Sequence, residues 1–154
     1  MKSVYRVLAY LIALEVAIQA AAVVFGIFGL FKWVDGGGTL DKAAFEEESL
    51  SFTGAVGFTI HFMNGMMLIP LLALILLIIS FFAKVPGGAK WAGFVLLAVV
   101  AQVFLGLFAH EYPALGILHG VNALILFSLA VMAGMRVRKE SPAATSTPAE
   151  RERV

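Results

Sequence analysis

The chain has 154 residues, of which 61% are hydrophobic and only 14% charged, with a net charge of +1 and no cysteine. Its mean hydropathy of +0.96 sets it apart from water-soluble domains, where about a quarter of residues are charged. Disulfides, thiolate ligands and iron–sulfur clusters are excluded. Nucleic acid is excluded as a partner by the lack of a basic patch interleaved with aromatics.

A helix needs about 20 mainly apolar residues to cross a bilayer. Four stretches qualify, 7–31, 58–82, 91–109 and 112–135, and the charges are segregated between them. They predict an all-α, integral membrane four-helix bundle. Its single domain spans 1–138, with helices about 4–32, 57–83, 90–110 and 112–136.

Lys2 and Arg6 precede the first span, as in a signal peptide, but the apolar run continues through "AAAVVFGIFGLF". That length exceeds the usual signal-peptide core and reads as a retained helix. Glu15 is its only acid. A carboxylate among apolar groups calls for a proton or a hydrogen-bond partner, and Gln19, one turn on, is the natural one. The connection 33–56 opens with "DGGG" and continues "TLDKAAFEEESL". Thr39 is placed as an N-cap, with Leu40, Ala43, Ala44 and Phe45 on one side of a short surface helix.

The second span begins "HFMNGMM" and the fourth contains "HGVNALI", so that His61 and His119 are each followed by an asparagine, Asn64 and Asn122, three residues later. The turn "VPGG" makes the second and third spans antiparallel neighbours. The link "HEYP" places Pro113 at a first helical position. Lys2, Arg6, Lys84, Lys90, Arg136, Arg138 and Lys139 cluster on one side, against acids in 33–56 and Glu111 on the other. Positive residues gather on the cytoplasmic side, which predicts a multi-pass plasma-membrane protein with both termini cytoplasmic. The tail 139–154, rich in Pro, Ser, Thr and Ala, reads as a disordered cytoplasmic extension.

"FGIFG" (25–29) resembles "LGLFA" (105–109), and each precedes a loop and a His-x-x-Asn. Aligning His61 with His119 also superposes Asn64 on Asn122, Leu68 on Leu126 and Leu71 on Leu129. The two helical hairpins thus read as a pseudo-repeat.

Intramembrane polar residues are rare and mark function by default. By topology His61, His110 and His119 all lie toward the outer leaflet. Imidazole ligates haem iron, copper and zinc, and a bis-histidine haem needs two histidines from different helices at similar depth. His61 and His119 meet that requirement; His110, beside Glu111 at a helix end, is the weaker candidate. Gly57, Gly65, Gly106, Gly116 and Gly120 offer room for a flat macrocycle, and Phe62, Phe104 and Phe108 offer flanking rings. Asn64 and Asn122 share a helix face with their histidines; they either support a bound group or fasten helices together. Met63, Met66 and Met67 read as packing or, alternatively, as thioether ligands to copper.

The segment "AQVFLGLFAHEYPALGILHGVNALILF" resembles the haem A synthase family, whose members comprise two four-helix halves. Gln102, Leu105 and Gly106 match its Gln-x-x-Leu-Gly, and His119 with Ala123 matches its His-x-x-x-Ala. "HFMNGMMLIPLLALI" resembles the family's preceding His-bearing helix. The family's Glu-x-x-x-His is missing, and only one half is present. The resemblance therefore implies a b-type haem-binding half-bundle with His61 and His119 as ligands, and does not imply haem A synthesis. The chain, with its "KVPGG" turn, also looks similar to small actinobacterial four-helix membrane proteins, which bring no activity with them.

The expected function is a haem b-binding membrane protein, with iron held by His61 and His119 near the outer leaflet and electron transfer as its task. The expected binding residues are His61, His119, Asn64, Asn122, Gly65, Gly106 and Phe108. The expected partners are the lipid bilayer, a quinone or redox protein, and further copies or subunits of a membrane complex. The alternatives are a non-haem scaffold or accessory protein and an outer-face copper-binding protein. No substrate-converting constellation is evident.

Overall fold

A computed structural model describes residues 1–41 and 51–137. The expected surface helix in the first connection and the expected tail lie largely or wholly outside the described residues. Among the described residues four helices make the fold: α1 (Lys2–Asp35), α2 (Ala55–Phe82), α3 (Gly88–Phe108) and α4 (Ala114–Met135). Each is long and apolar enough to cross a membrane, as expected of a multi-pass membrane protein. The ends fall within a few residues of the predicted ones, except that α1 runs three residues further, to Asp35.

The helices form a ring in which α1 packs on α2 and α4, and α3 packs on α4 and on the Ile69–Phe82 part of α2. Successive helices run antiparallel, and so do α1 and α4. The core unites Tyr5, Ile12, Leu76, Val95, Val99 and Leu126 with small residues such as Ala9, Ala73, Ala92 and Ala130. All of these lie toward the end of the bundle that carries the N-terminus and the 83–87 turn. Beyond Val99 on α3, and before Leu126 on α4, no described residue is buried.

At the opposite, loop end the buried described residues lie at the seam between α1 and α2. A Cβ on Gly57 would strike the carbonyl oxygen of Ala22, and one on Gly26 would lie 2.9 Å from the Phe58 ring. Gly54 turns the chain into α2 at φ +103°, a conformation that favours glycine. Gly57, read from sequence as room for a macrocycle, instead lets two helix backbones meet.

The helix α2 contains a π turn at Asn64–Leu68, immediately after the first His-bearing turn. Pro70 follows in the first turn of the resumed α-helix. Proline has no N–H to donate to the preceding turn, and a wider turn there accommodates the missing bond. The π turn inserts one residue, and inserted turns of this kind often sit at functional sites. On α4 the inward residues His119, Asn122, Leu126, Ala130 and Ala133 follow at spacings of three, four, four and three. On α2 the corresponding series His61, Asn64, Ile69, Ala73 and Leu76 has spacings of three, five, four and three. The buried counterpart of Leu126 is therefore Ile69 rather than Leu68, and Leu71 is 54% exposed. The sequence alignment slips by one residue after the asparagine because an ungapped comparison assumes an unbroken 3.6-residue period.

A candidate bis-histidine site between two hairpins

His61 on α2 and His119 on α4 face one another where the shared core ends. Their ring centroids are 6.1 Å apart and their planes are inclined by 58°. Each ring is half-buried and held the same way by the preceding helix. His61 Nδ1 is 3.1 Å from the carbonyl oxygen of Gln19 on α1. His119 Nδ1 is 3.1 Å from the carbonyl oxygen of Gln102 on α3. A carbonyl oxygen only accepts, so each Nδ1–H donates and each neutral ring keeps a lone pair on Nε2. Such a hydrogen bond fixes the tautomer and raises the basicity of the free nitrogen, the arrangement typical of metal-bound histidine.

The asparagines sit one turn closer to the core. Asn122 Nδ2 donates to Gln102 Oε1 at 2.7 Å and to the Ala98 carbonyl at 2.9 Å. Asn64 Nδ2 donates to Glu15 Oε2 at 3.2 Å. Glu15 is thus partnered by Asn64, not by the Gln19 expected from helical spacing. The Gln19 side chain is 8% exposed, and neither its Nε2 nor its Oε1 has a partner among the described residues. The bonds match Gln19 with Gln102, a register nearly one helical turn out of step with the one that superposes "FGIFG" on "LGLFA".

All these polar bonds run within a hairpin, α2 to α1 or α4 to α3. Among the described residues, none crosses between hairpins at the level of the histidines.

The other expected site residues divide. A Cβ on Gly106 would lie 3.0 Å from His119 Cε1, so this glycine seats the imidazole. A Cβ on Gly65 would lie 3.6 Å from Gln19 Oε1, which puts Gly65 over the unpartnered amide. Gly120 faces open space. Phe108 is exposed and stacks on Phe104 with centroids 6.3 Å apart, not on either imidazole. His110 is exposed in the turn after α3 and is not part of the facing pair. Met63, Met66 and Met67 are exposed along α2, and Met66 lines an apolar cleft of about 230 Å³ between α2 and α3.

The main-chain carbonyls of Gln19 and Gln102 are the contribution that sequence reading missed. The only signal was the pair of polar residues at matching depth in α1 and α3. No group of three or more His, Cys, Asp or Glu able to hold an ion occurs among the described residues. Two imidazoles suffice, however, where a macrocycle brings its own donors. Comparison with known protein families, with curated proteins and with solved structures gave no match.

Proposed function

We propose that this protein is a membrane-embedded b-type cytochrome, with haem held between His61 and His119 and electron transfer as its task. One observation supports the reading above the rest: two imidazoles on alternate helices face each other at 6.1 Å, each with Nδ1 engaged. Two metal–imidazole bonds of about 2 Å, with roughly 1 Å from each nitrogen to its ring centre, would suit two rings about 6 Å apart. The residues therefore fit the group. The end of the common core just beyond Val99 and Leu126, and the lack of polar bonds between hairpins at the histidines, favour a cofactor as what joins them there.

Bound haem supplies reversible one-electron chemistry at iron, tuned by ligand identity, hydrogen bonding and burial. The chain supplies the remainder. His61 and His119 would hold the iron, and the Gln19 and Gln102 carbonyls orient their rings. Asn122 ties α4 to α3 below its ligand, and the apolar helices exclude water. Gly106 leaves room for the His119 ring. The matched histidines, asparagines and glutamine carbonyls favour the pseudo-repeat of hairpins and the likeness to half of a haem A synthase. The segregation of positive residues favours cytoplasmic termini in a plasma membrane, with the haem toward the outer leaflet. Lipid surrounds the bundle, and a quinone or redox protein, or further subunits of a membrane complex, exchanges the electron.

The test is spectroscopic. Protein purified from haem-replete membranes should show a Soret band and a sharp reduced α-band. His61→Ala and His119→Ala should each abolish or badly perturb them, while His110→Ala should not. A colourless wild-type preparation overturns the reading.

A further inference from the structure

The two hairpins share a histidine, an asparagine and a glutamine but differ at the position beneath the glutamine. Four residues before Gln19 on α1 stands Glu15; four residues before Gln102 on α3 stands Ala98. Where alanine stands, the asparagine bonds to the glutamine amide: Asn122 donates to Gln102 Oε1. Where glutamate stands, the asparagine is drawn to the carboxylate: Asn64 donates to Glu15 Oε2. The displaced Gln19 amide is left more than nine-tenths buried with both polar atoms unpartnered. A buried amide without partners is costly. The matching pair in the second hairpin shows the bond that would satisfy its oxygen.

We propose that Glu15 is a redox-linked proton-binding site, with Asn64 passing from the Glu15 carboxylate to Gln19 Oε1 when the proton arrives. The inference rests on the haem reading above. Glu15 is half-buried near the middle of α1, whose only other acid is the terminal Asp35, and α2, α3 and α4 contain no Asp or Glu. Other titratable groups on the helices facing it are few: α2 brings His61, α4 brings His119, and α3 brings Lys90 in its first turn. A carboxylate one turn from the ligand pair favours the more positive, oxidised site. As one electron enters from an external one-electron donor, that attraction falls and Glu15 binds one proton from solvent. One positive charge then accompanies one negative charge, and no other bond forms or breaks. Protonated Glu15 no longer needs Asn64 as a donor, and the waiting Gln19 oxygen accepts it. Reoxidation returns the proton.

The experiment is a potentiometric titration of the purified holoprotein at several pH values, read by the α-band. In the wild type the midpoint potential should fall with pH across a window, approaching about 59 mV for each tenfold change in proton activity. Glu15→Gln keeps an oxygen for Asn64 and should flatten that dependence, while Glu15→Asp should retain it with a shifted window. Redox-difference infrared spectra of the wild type should show a protonated-carboxyl band on reduction that Glu15→Gln lacks. A pH-independent wild-type potential, or an unchanged slope in Glu15→Gln with haem bound, overturns the proton site and leaves the haem reading standing. Wild-type protein without haem bands overturns both.

Discussion

The hairpin α1–α2 and the hairpin α3–α4 solve the same problem with different detail. Each anchors a histidine Nδ1–H on a glutamine carbonyl at 3.1 Å, and each places an asparagine one turn below. The second does so on an unbroken helix with an asparagine whose Nδ2 makes two bonds. The first has a π turn, a carboxylate and a glutamine amide without partners. The backbone carbonyl grip is thus common to both, whereas the polar residues beneath it are free to differ. The difference teaches that the orientation of an imidazole and the groups beneath it can be set separately in one bundle.

The largest effect should come from changing helix phase. Removing one residue rotates everything beyond it by about 100°. Deleting Ile125 from α4 should part His119 from the core face and abolish haem binding and folded yield. Deleting Met67 from the π turn of α2 should let an ordinary α-helix form with both faces preserved. Absorbance per mole of purified protein would separate the two, and equal damage would refute the one-residue insertion.

A smaller loss is expected from Gly106→Val, which pushes a branched side chain into the His119 ring. Val23 stands at the matching place on α1, four residues after Gln19, so the two ligands should differ in their tolerance. Gly106→Val should broaden or bleach the bis-histidine spectrum, whereas Val23→Gly should leave it nearly intact.

Below that comes packing. Leu126 and Leu76 are each buried to about 1% exposure or less, and truncating such residues costs about 2–5 kcal/mol. Leu126→Ala and Leu76→Ala should lower the unfolding midpoint in detergent by comparable amounts. Leu71→Ala, on the exposed face, should barely move it.

The smallest difference should separate the asparagines. Interhelical hydrogen bonds in membranes contribute about 0.6 kcal/mol on average. Asn122 makes two such bonds and Asn64 one. Asn122→Ala should therefore destabilise the bundle more than Asn64→Ala, measured by reversible unfolding in micelles.

Much of this was legible in the chain itself. Four long apolar runs between clustered charges leave only helices as spanning elements, because backbone polar groups must be satisfied inside lipid. The pairing of His61 with His119 was legible too, because a histidine in an apolar helix is expensive and two at equal depth narrow the choice. The glycines were harder: Gly57 and Gly106 both admit a close neighbour, and only coordinates tell a backbone from an imidazole. The partner of Glu15 was misassigned for a similar reason. Spacing along α1 favours Gln19, but the rotation of α2 brings Asn64 closer.

By itself the sequence determined the number of helices, their approximate ends and the depth of the polar residues, since these follow from local hydropathy and chain length. The tertiary structure decided which groups face each other: the carbonyl grip on each imidazole, the π turn that resets α2, and the amide stranded by Glu15. Those depend on the rotation of one helix against another, a property no single helix carries.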